Sequence, residues 1–167
     1  ITGNITVCES AEGEIYSISP VTGAIAYEWS VPSGATITDG DGTNEITVLF
    51  GSTAGNVSVS AVNGCTTGTA RDLAVAITDL PDQPGAITGD TAVCASDTGI
   101  AYSIAAVPNA TGYTWTVPSG AIVASGQGTT AITVDFGATS GNVSVVADTN
   151  GCAGLAASTA VTVTSIP

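Results

Sequence analysis

The sequence predicts an all-β protein made of two tandem β-sandwiches of about seven strands each. Three observations predict it. The chain repeats itself with a period of about 86 residues. Its apolar residues fall in short runs that alternate with polar ones, the period of a half-buried strand. Its composition favours strands over helices: Ser and Thr together number 42 of 167 residues, Gly 21, and Lys and Met are absent.

The repeat is legible residue by residue. Ile1-Thr2-Gly3 returns as Ile87-Thr88-Gly89, Cys8 as Cys94 and Tyr16 as Tyr102. Tyr27-Glu28-Trp29-Ser30-Val31-Pro32-Ser33-Gly34-Ala35 returns as Tyr113-Thr114-Trp115-Thr116-Val117-Pro118-Ser119-Gly120-Ala121. Phe50-Gly51 returns as Phe136-Gly137, and Gly55-Asn56-Val57-Ser58-Val59 as the run from Gly141 to Val145. Asn63-Gly64-Cys65 returns as Asn150-Gly151-Cys152, now 87 residues on, and the offset is 86 again at Ala74 and Ala160. The first repeat spans 1–78 and the second 87–167. Residues 79–86 between them hold Pro81 and Pro84, which predict a short, semi-rigid spacer. Thr164-Ser165-Ile166-Pro167 is in phase with Thr78-Asp79-Leu80-Pro81, so the two units read as a slice of a longer array.

Within the first unit, Tyr27, Trp29 and Val31 share a strand face. So do Ile46, Val48 and Phe50, then Val57, Val59 and Ala61, then Leu73, Val75 and Ile77. Glu28, Ser30, Thr47, Ser58 and Ser60 occupy the opposite faces. Turn signals separate the runs: Pro32-Ser33-Gly34, Asp39-Gly40-Asp41-Gly42, Gly51 to Gly55, and Asn63-Gly64. The expected core aromatics are Tyr27, Trp29 and Phe50, with Tyr113, Trp115 and Phe136 as their counterparts.

Four cysteines in an acidic, Thr-rich chain point to an oxidising location. Three pairings are open in principle. Equivalence of the repeats favours Cys8–Cys65 and Cys94–Cys152, one disulfide per domain, tying the first strand to the loop after the sixth. Closing a loop of about 58 residues would stabilise each unit by about 4 kcal/mol in the chain-entropy model.

The combined string V-C, Y-S-I, Y-x-W-x-V-P-S-G-A, G-x-G, I-T-V-x-F-G, G-N-V-S-V and N-G-C resembles the PKD-like domains, which have an immunoglobulin (Ig) fold. It covers both units. The order Cys8, Trp29, Cys65 also echoes the Cys–Trp–Cys order of immunoglobulin domains, with different spacing. Such domains occur as tandem modules in large secreted and cell-surface proteins of Bacteroidetes. The resemblance implies extracellular display as a stalk or adhesive module, and it supplies no catalytic residues.

Composition excludes several function classes. The chain carries 14 acidic residues against one basic residue, Arg71, for a net charge of −13, and it has no His. Phosphate-backbone binding needs clustered Lys and Arg, so no nucleic acid is expected as a partner. No apolar run approaches the ~20 residues that cross a bilayer as a helix, so no membrane insertion is expected. Without His or Lys, the abundant serines have no strong base to activate a nucleophile. No enzyme and no cofactor are expected. The sharpest chemical feature is the loop from Asp39 to Glu45. Asp39, Asp41 and Glu45 on a Gly-rich turn suit Ca²⁺, a hard cation with oxygen ligands. The second unit has Ser125-Gly126-Gln127-Gly128-Thr129-Thr130-Ala131 there, without an acid, which favours a plain solvated hairpin. All eight aromatic residues belong to the repeating set, and core packing is the favoured reading of them; Tyr16 and Tyr102 are the two for which partial exposure and stacking on a sugar stay open as the alternative.

The sequence therefore predicts a non-enzymatic extracellular module, a stalk or surface filament whose partners are neighbouring repeats. The alternatives are a carbohydrate- or ice-binding module contacting surface glycans and an accessory domain of a secreted hydrolase.

Overall fold

A computed structural model describes residues 1–165; Ile166 and Pro167, which end the second sequence repeat, lie outside the described residues. The chain is all-β and forms two tandem Ig-like domains, one from Ile1 to Asp79 and a second from Leu80 onward.

The first domain has seven strands: β1 (Thr6–Cys8), β2 (Glu14–Ser17), β3 (Ala26–Ser30), β4 (Thr36–Asp39), β5 (Glu45–Leu49), β6 (Gly55–Val62) and β7 (Arg71–Thr78). One sheet has the order β1-β7-β6-β3 and the other β2-β5-β4. All neighbours are antiparallel except β1 and β7, which run parallel with Cys8 opposite Thr78. Alternation places Ile46, Val48 and Phe50 inside from one sheet, and Val57, Val59 and Val75 inside from the other. Burying each such side chain stabilises the fold by roughly 1.5–3 kcal/mol relative to exposure. Trp29, Val31, Leu73 and Ile77 pack partly buried around this core.

The second domain repeats the plan with β8 (Thr88–Gly89), β9 (Ala92–Cys94), β10 (Ile100–Ser103), β11 (Gly112–Thr116), β12 (Ile122–Ser125), β13 (Ala131–Asp135), β14 (Gly141–Thr149) and β15 (Cys152–Thr164). Its sheets are β9-β15-β14-β11 and β8-β10-β13-β12. β9 is the parallel partner of β15, with Cys94 opposite Thr164. The extra strand β8 corresponds to a single bridge in the first domain, Thr2 to Ser17. Trp115, Ile132, Val134, Phe136, Val143 and Val145 make its core.

The residues expected as a spacer are seated on this second domain. The Gln83 side-chain amide donates to the Ala156 carbonyl at 2.6 Å. Gly154 lies so close to the Pro81 carbonyl that a Cβ there would collide with it. Pro81 and Pro84 are both buried.

The expected disulfides Cys8–Cys65 and Cys94–Cys152 do not form. Cys8 and Cys152 are the disulfide-bonded cysteines, whereas Cys65 and Cys94 carry free, exposed thiols. Strand direction is the reason. β1 lies parallel to β7, so Cys8 sits at the end where β7 finishes. Cys65 follows β6 at the opposite end of the same sheet, where β7 begins. About ten residues of strand separate the two levels, on the order of 30 Å at ~3.3 Å per residue. In the second domain Cys152 opens β15 and Cys94 pairs near its far end, on the order of 40 Å away. A disulfide needs Cα atoms within about 7 Å.

Candidate functional site

The features that recur in both domains converge on two arrangements, each built around an aromatic side chain with a polar group. The first centres on tryptophan. Trp29 on β3 and Trp115 on β11 point into the sandwich, and each indole N–H must find an acceptor once it leaves water. Each finds it in a hairpin loop, the one joining β4 to β5 in the first domain and β12 to β13 in the second. Trp29 Nε1 donates to the Thr43 carbonyl at 2.8 Å, and Trp115 Nε1 to the Thr129 carbonyl at 2.8 Å.

Thr43 and Thr129 shape those loops. The Thr43 hydroxyl lies 2.8 Å from the Gly40 carbonyl and 2.7 Å from the Glu45 carbonyl, and its single proton is shared between them. The Thr129 hydroxyl bonds the Gly126 and Ala131 carbonyls in the same way, at 2.8 Å each. Among the described residues, no three His, Cys, Asp or Glu side chains form a group able to hold a metal ion, so Asp39, Asp41 and Glu45 do not make one. The Asp39 carboxylate instead accepts from the Gly40 amide at 2.9 Å. The signal in the sequence was the part of the loop that recurs, Gly-x-Gly-Thr, and not the acids.

The second arrangement centres on tyrosine. Tyr16 and Tyr102 are 0 % exposed, so they pack in the core as favoured, and neither offers the stacking face for a sugar that was the alternative. The Tyr16 hydroxyl donates to the Asn4 carbonyl at 2.7 Å, and the Tyr102 hydroxyl to the Asp90 carbonyl at 2.6 Å. Each ring crosses directly over a glycine of the repeat: a Cβ on Gly3 would strike the Tyr16 ring, and one on Gly89 the Tyr102 ring. That close approach explains why Ile-Thr-Gly opens both units. Each ring also meets a phenylalanine edge-on, Tyr16 with Phe50 at 5.8 Å and Tyr102 with Phe136 at 6.1 Å. Burial, followed by the nearby Glu14 carboxylate, pushes the Tyr16 phenol up to about 12. Burial and then Asp90 raise Tyr102 in the same direction.

The remaining tyrosines serve loops. The Tyr27 hydroxyl accepts from the Val21 amide at 2.9 Å and the Tyr113 hydroxyl from the Val107 amide at 2.8 Å. Among the described residues, no buried side-chain nitrogen or oxygen lacks a partner. A depression of about 170 Å³ in the first domain is lined by Val21, Ala24, Val62 and Thr66, and a wider, shallower one of about 740 Å³ lies along Ile5, Leu73 and Val75. The first falls below the ~300 Å³ at which small-molecule pockets begin, and the second is open surface with no charged side chain in its lining. No helix among the described residues is long and apolar enough to cross a membrane.

Comparison with solved structures finds likeness over nearly the whole chain at low identity. A marsupial T cell receptor is 13% identical, with 97% of this chain and 71% of that one covered at a TM-score of 0.48. Chicken CNTN1 domains FN1–FN3 are 14% identical, with 95% and 68% covered at a TM-score of 0.44. FdeC, an Escherichia coli adhesin, is 19% identical, with 95% and 62% covered at a TM-score of 0.29. No curated protein matches the sequence. The family comparison is more specific, because the PKD-like domain matches twice, over residues 1–75 and 80–163. With one match on each sandwich, the chain belongs to the PKD-like domain family.

Proposed function

We propose that the chain is a non-enzymatic extracellular module, two repeats of a tandem array that serves as a stalk or surface filament of a bacterial cell-surface protein. The observation that supports this reading is where the aromatic chemistry goes. In both domains the tryptophan indole and every tyrosine hydroxyl bond to backbone groups of their own sandwich. These are the groups that a glycan-binding surface would present, and here they hold loops to sheets. The net charge of −13 adds solubility and repulsion between neighbouring copies.

The test is affinity electrophoresis of the oxidised chain through gels containing a panel of polysaccharides, with calcium or with EDTA. Unchanged mobility in every gel is the expected result. Retardation on one glycan would replace the structural reading with a carbohydrate-binding one. Retardation that EDTA abolishes would return attention to Asp39, Asp41 and Glu45.

A further inference from the structure

Each domain carries one cysteine at each end of the sheet that contains its parallel strand pair. The first-strand position is Cys8 or Cys94, opposite the last residue of the long strand. The turn position is Cys65 or Cys152, beyond the other end of that strand or at its start. Strand lengths keep the two positions of one domain far beyond disulfide reach. Yet both kinds of position make disulfides in this chain, the first-strand position through Cys8 and the turn position through Cys152. What is left over is one of each kind, Cys94 and Cys65, both exposed and both free.

Their backbones are held in place. The Cys65 amide donates to Asn63 Oδ1 at 2.9 Å and the Cys94 amide to Asp97 Oδ2 at 2.7 Å. Cys65 is therefore carried on a hydrogen-bonded turn and Cys94 on the end of β9.

We propose that Cys94 of one copy and Cys65 of a second copy of this chain form a disulfide, joining copies first-strand end to turn end. The proposal deepens the array reading above and takes its partner, a further copy of the same repeat, from it. Because the two positions differ, the link is heterologous, and the joined pair still offers one thiol of each kind, Cys65 on one copy and Cys94 on the other. Such a contact extends without closing unless the geometry forms a ring. The oxidant is a low-molecular-weight disulfide. The thiolate of one cysteine attacks it, forming a mixed disulfide and releasing one small thiol. The thiolate of the partner cysteine then attacks the protein sulfur and releases the second small thiol. Two protein thiols are oxidised and one small disulfide is reduced.

The test incubates the 167-residue chain with oxidised glutathione and resolves it on non-reducing gels. The wild type is expected to give a ladder of dimers, trimers and longer species that collapses with reductant. Cys65→Ser alone and Cys94→Ser alone are expected to stay monomeric. Their equimolar mixture is expected to give dimers and nothing larger, with the Cys65–Cys94 peptide pair identified by mass spectrometry after thermolysin digestion. Dimers of either single variant would overturn the proposal, because they need like-with-like bonds. A wild type that stays monomeric would also overturn it. In that case unchanged mobility in the glycan gels would still leave the stalk reading standing, so the two failures are distinguishable.

Discussion

Asn-Gly-Cys occurs in both domains and folds in two different ways. In the second domain Asn150 and Gly151 adopt φ of 51° and 88°, and Thr149 pairs directly with Cys152. This is a two-residue hairpin turn with both central residues left-handed, the kind whose twist matches its strands. In the first domain Gly64 is not left-handed. Asn63 Oδ1 instead accepts from the amides of both Cys65 and Thr66, and β7 does not begin until Arg71. The cause is register. A tight hairpin at Asn150-Gly151 would bring Val145 opposite residue 156, one short of its partner Ala157, and the single excess residue is absorbed as a bulge. The same hairpin at Asn63-Gly64 would bring Val59 opposite residue 68, three short of its partner Arg71. One bulge cannot absorb three residues, so the turn opens into a loop. A turn motif acts only where the strands on either side are in phase with it.

The two domains also differ at their tryptophans, and the largest effect we predict tests that difference. Trp115 is 2 % exposed, whereas Trp29 is only half-buried, although both indoles make the same hydrogen bond. Trp115→Ala should destabilise the second domain by about 3–5 kcal/mol. Trp29→Ala should cost the first domain about half as much, because less apolar area returns to water. Amide hydrogen exchange resolved by peptide reads each domain separately. Equal losses in the two domains would show that the hydrogen bond, and not burial, sets the cost.

Where the domains agree, a change of pH should move them together. The folded Tyr16 phenol titrates near 12, above its unfolded value of 10.0, and Tyr102 is raised likewise. A raised pKa means that the fold prefers the protonated form. The stability this gives is complete below pH 10 and is lost as pH climbs from there through the folded value. Denaturant unfolding at pH 9 and pH 11 should show the loss in both domains. Tyr16→Phe should remove that dependence from the first domain alone.

The turn comparison predicts a smaller difference. Gly151→Ala forces a Cβ into a left-handed conformation and should cost roughly 1–2 kcal/mol. Gly64→Ala meets open space at an ordinary φ and should be neutral or stabilising by up to about 1 kcal/mol through the unfolded chain. Thermal unfolding of the two variants reads this contrast, and a loss at Gly64 would mean that the first turn visits the left-handed form.

Much of the fold was legible in the sequence because alternation and repetition report the same thing. Ile46, Val48, Phe50, Val57 and Val59 are buried where period two places them. The cysteine pairing was not legible, since it depends on β1 running parallel to β7, and chain order does not reveal which end of a sheet a strand's last residue reaches. The Asp39–Glu45 loop was read as a solvated hairpin, with calcium as the alternative, but its structural residues were not singled out. Its acids drew attention by their charge, while the residues with the structural task, Gly40, Gly42 and Thr43, were the ones that recurred at Gly126, Gly128 and Thr129. Tyr16 and Tyr102 are inside, as membership of the repeating set favoured, and their fixed distance to Gly3 and Gly89, which leave room for a ring, is the further signal that would have settled it.

The smallest predicted effect asks why Trp29 is less covered than Trp115. In the second domain the Gln127 carboxamide bridges the exposed edge of β11. Its oxygen accepts from the Trp115 amide at 3.2 Å and its nitrogen donates to the Trp115 carbonyl at 3.0 Å. The equivalent residue in the first domain is Asp41. Its side chain is one methylene shorter, and an ionised carboxylate has no hydrogen to donate. Asp41→Gln should therefore install the bridge on β3 and stabilise the first domain by about 0.5–1 kcal/mol, and Gln127→Asp should cost the second domain a similar amount. Trp29 emission should shift to the blue in the first variant, measured with Trp115 replaced by Phe. If Asp41→Gln moves neither stability nor emission, then the looser packing of Trp29 follows from the open turn after β6, and the two differences between the domains have one cause.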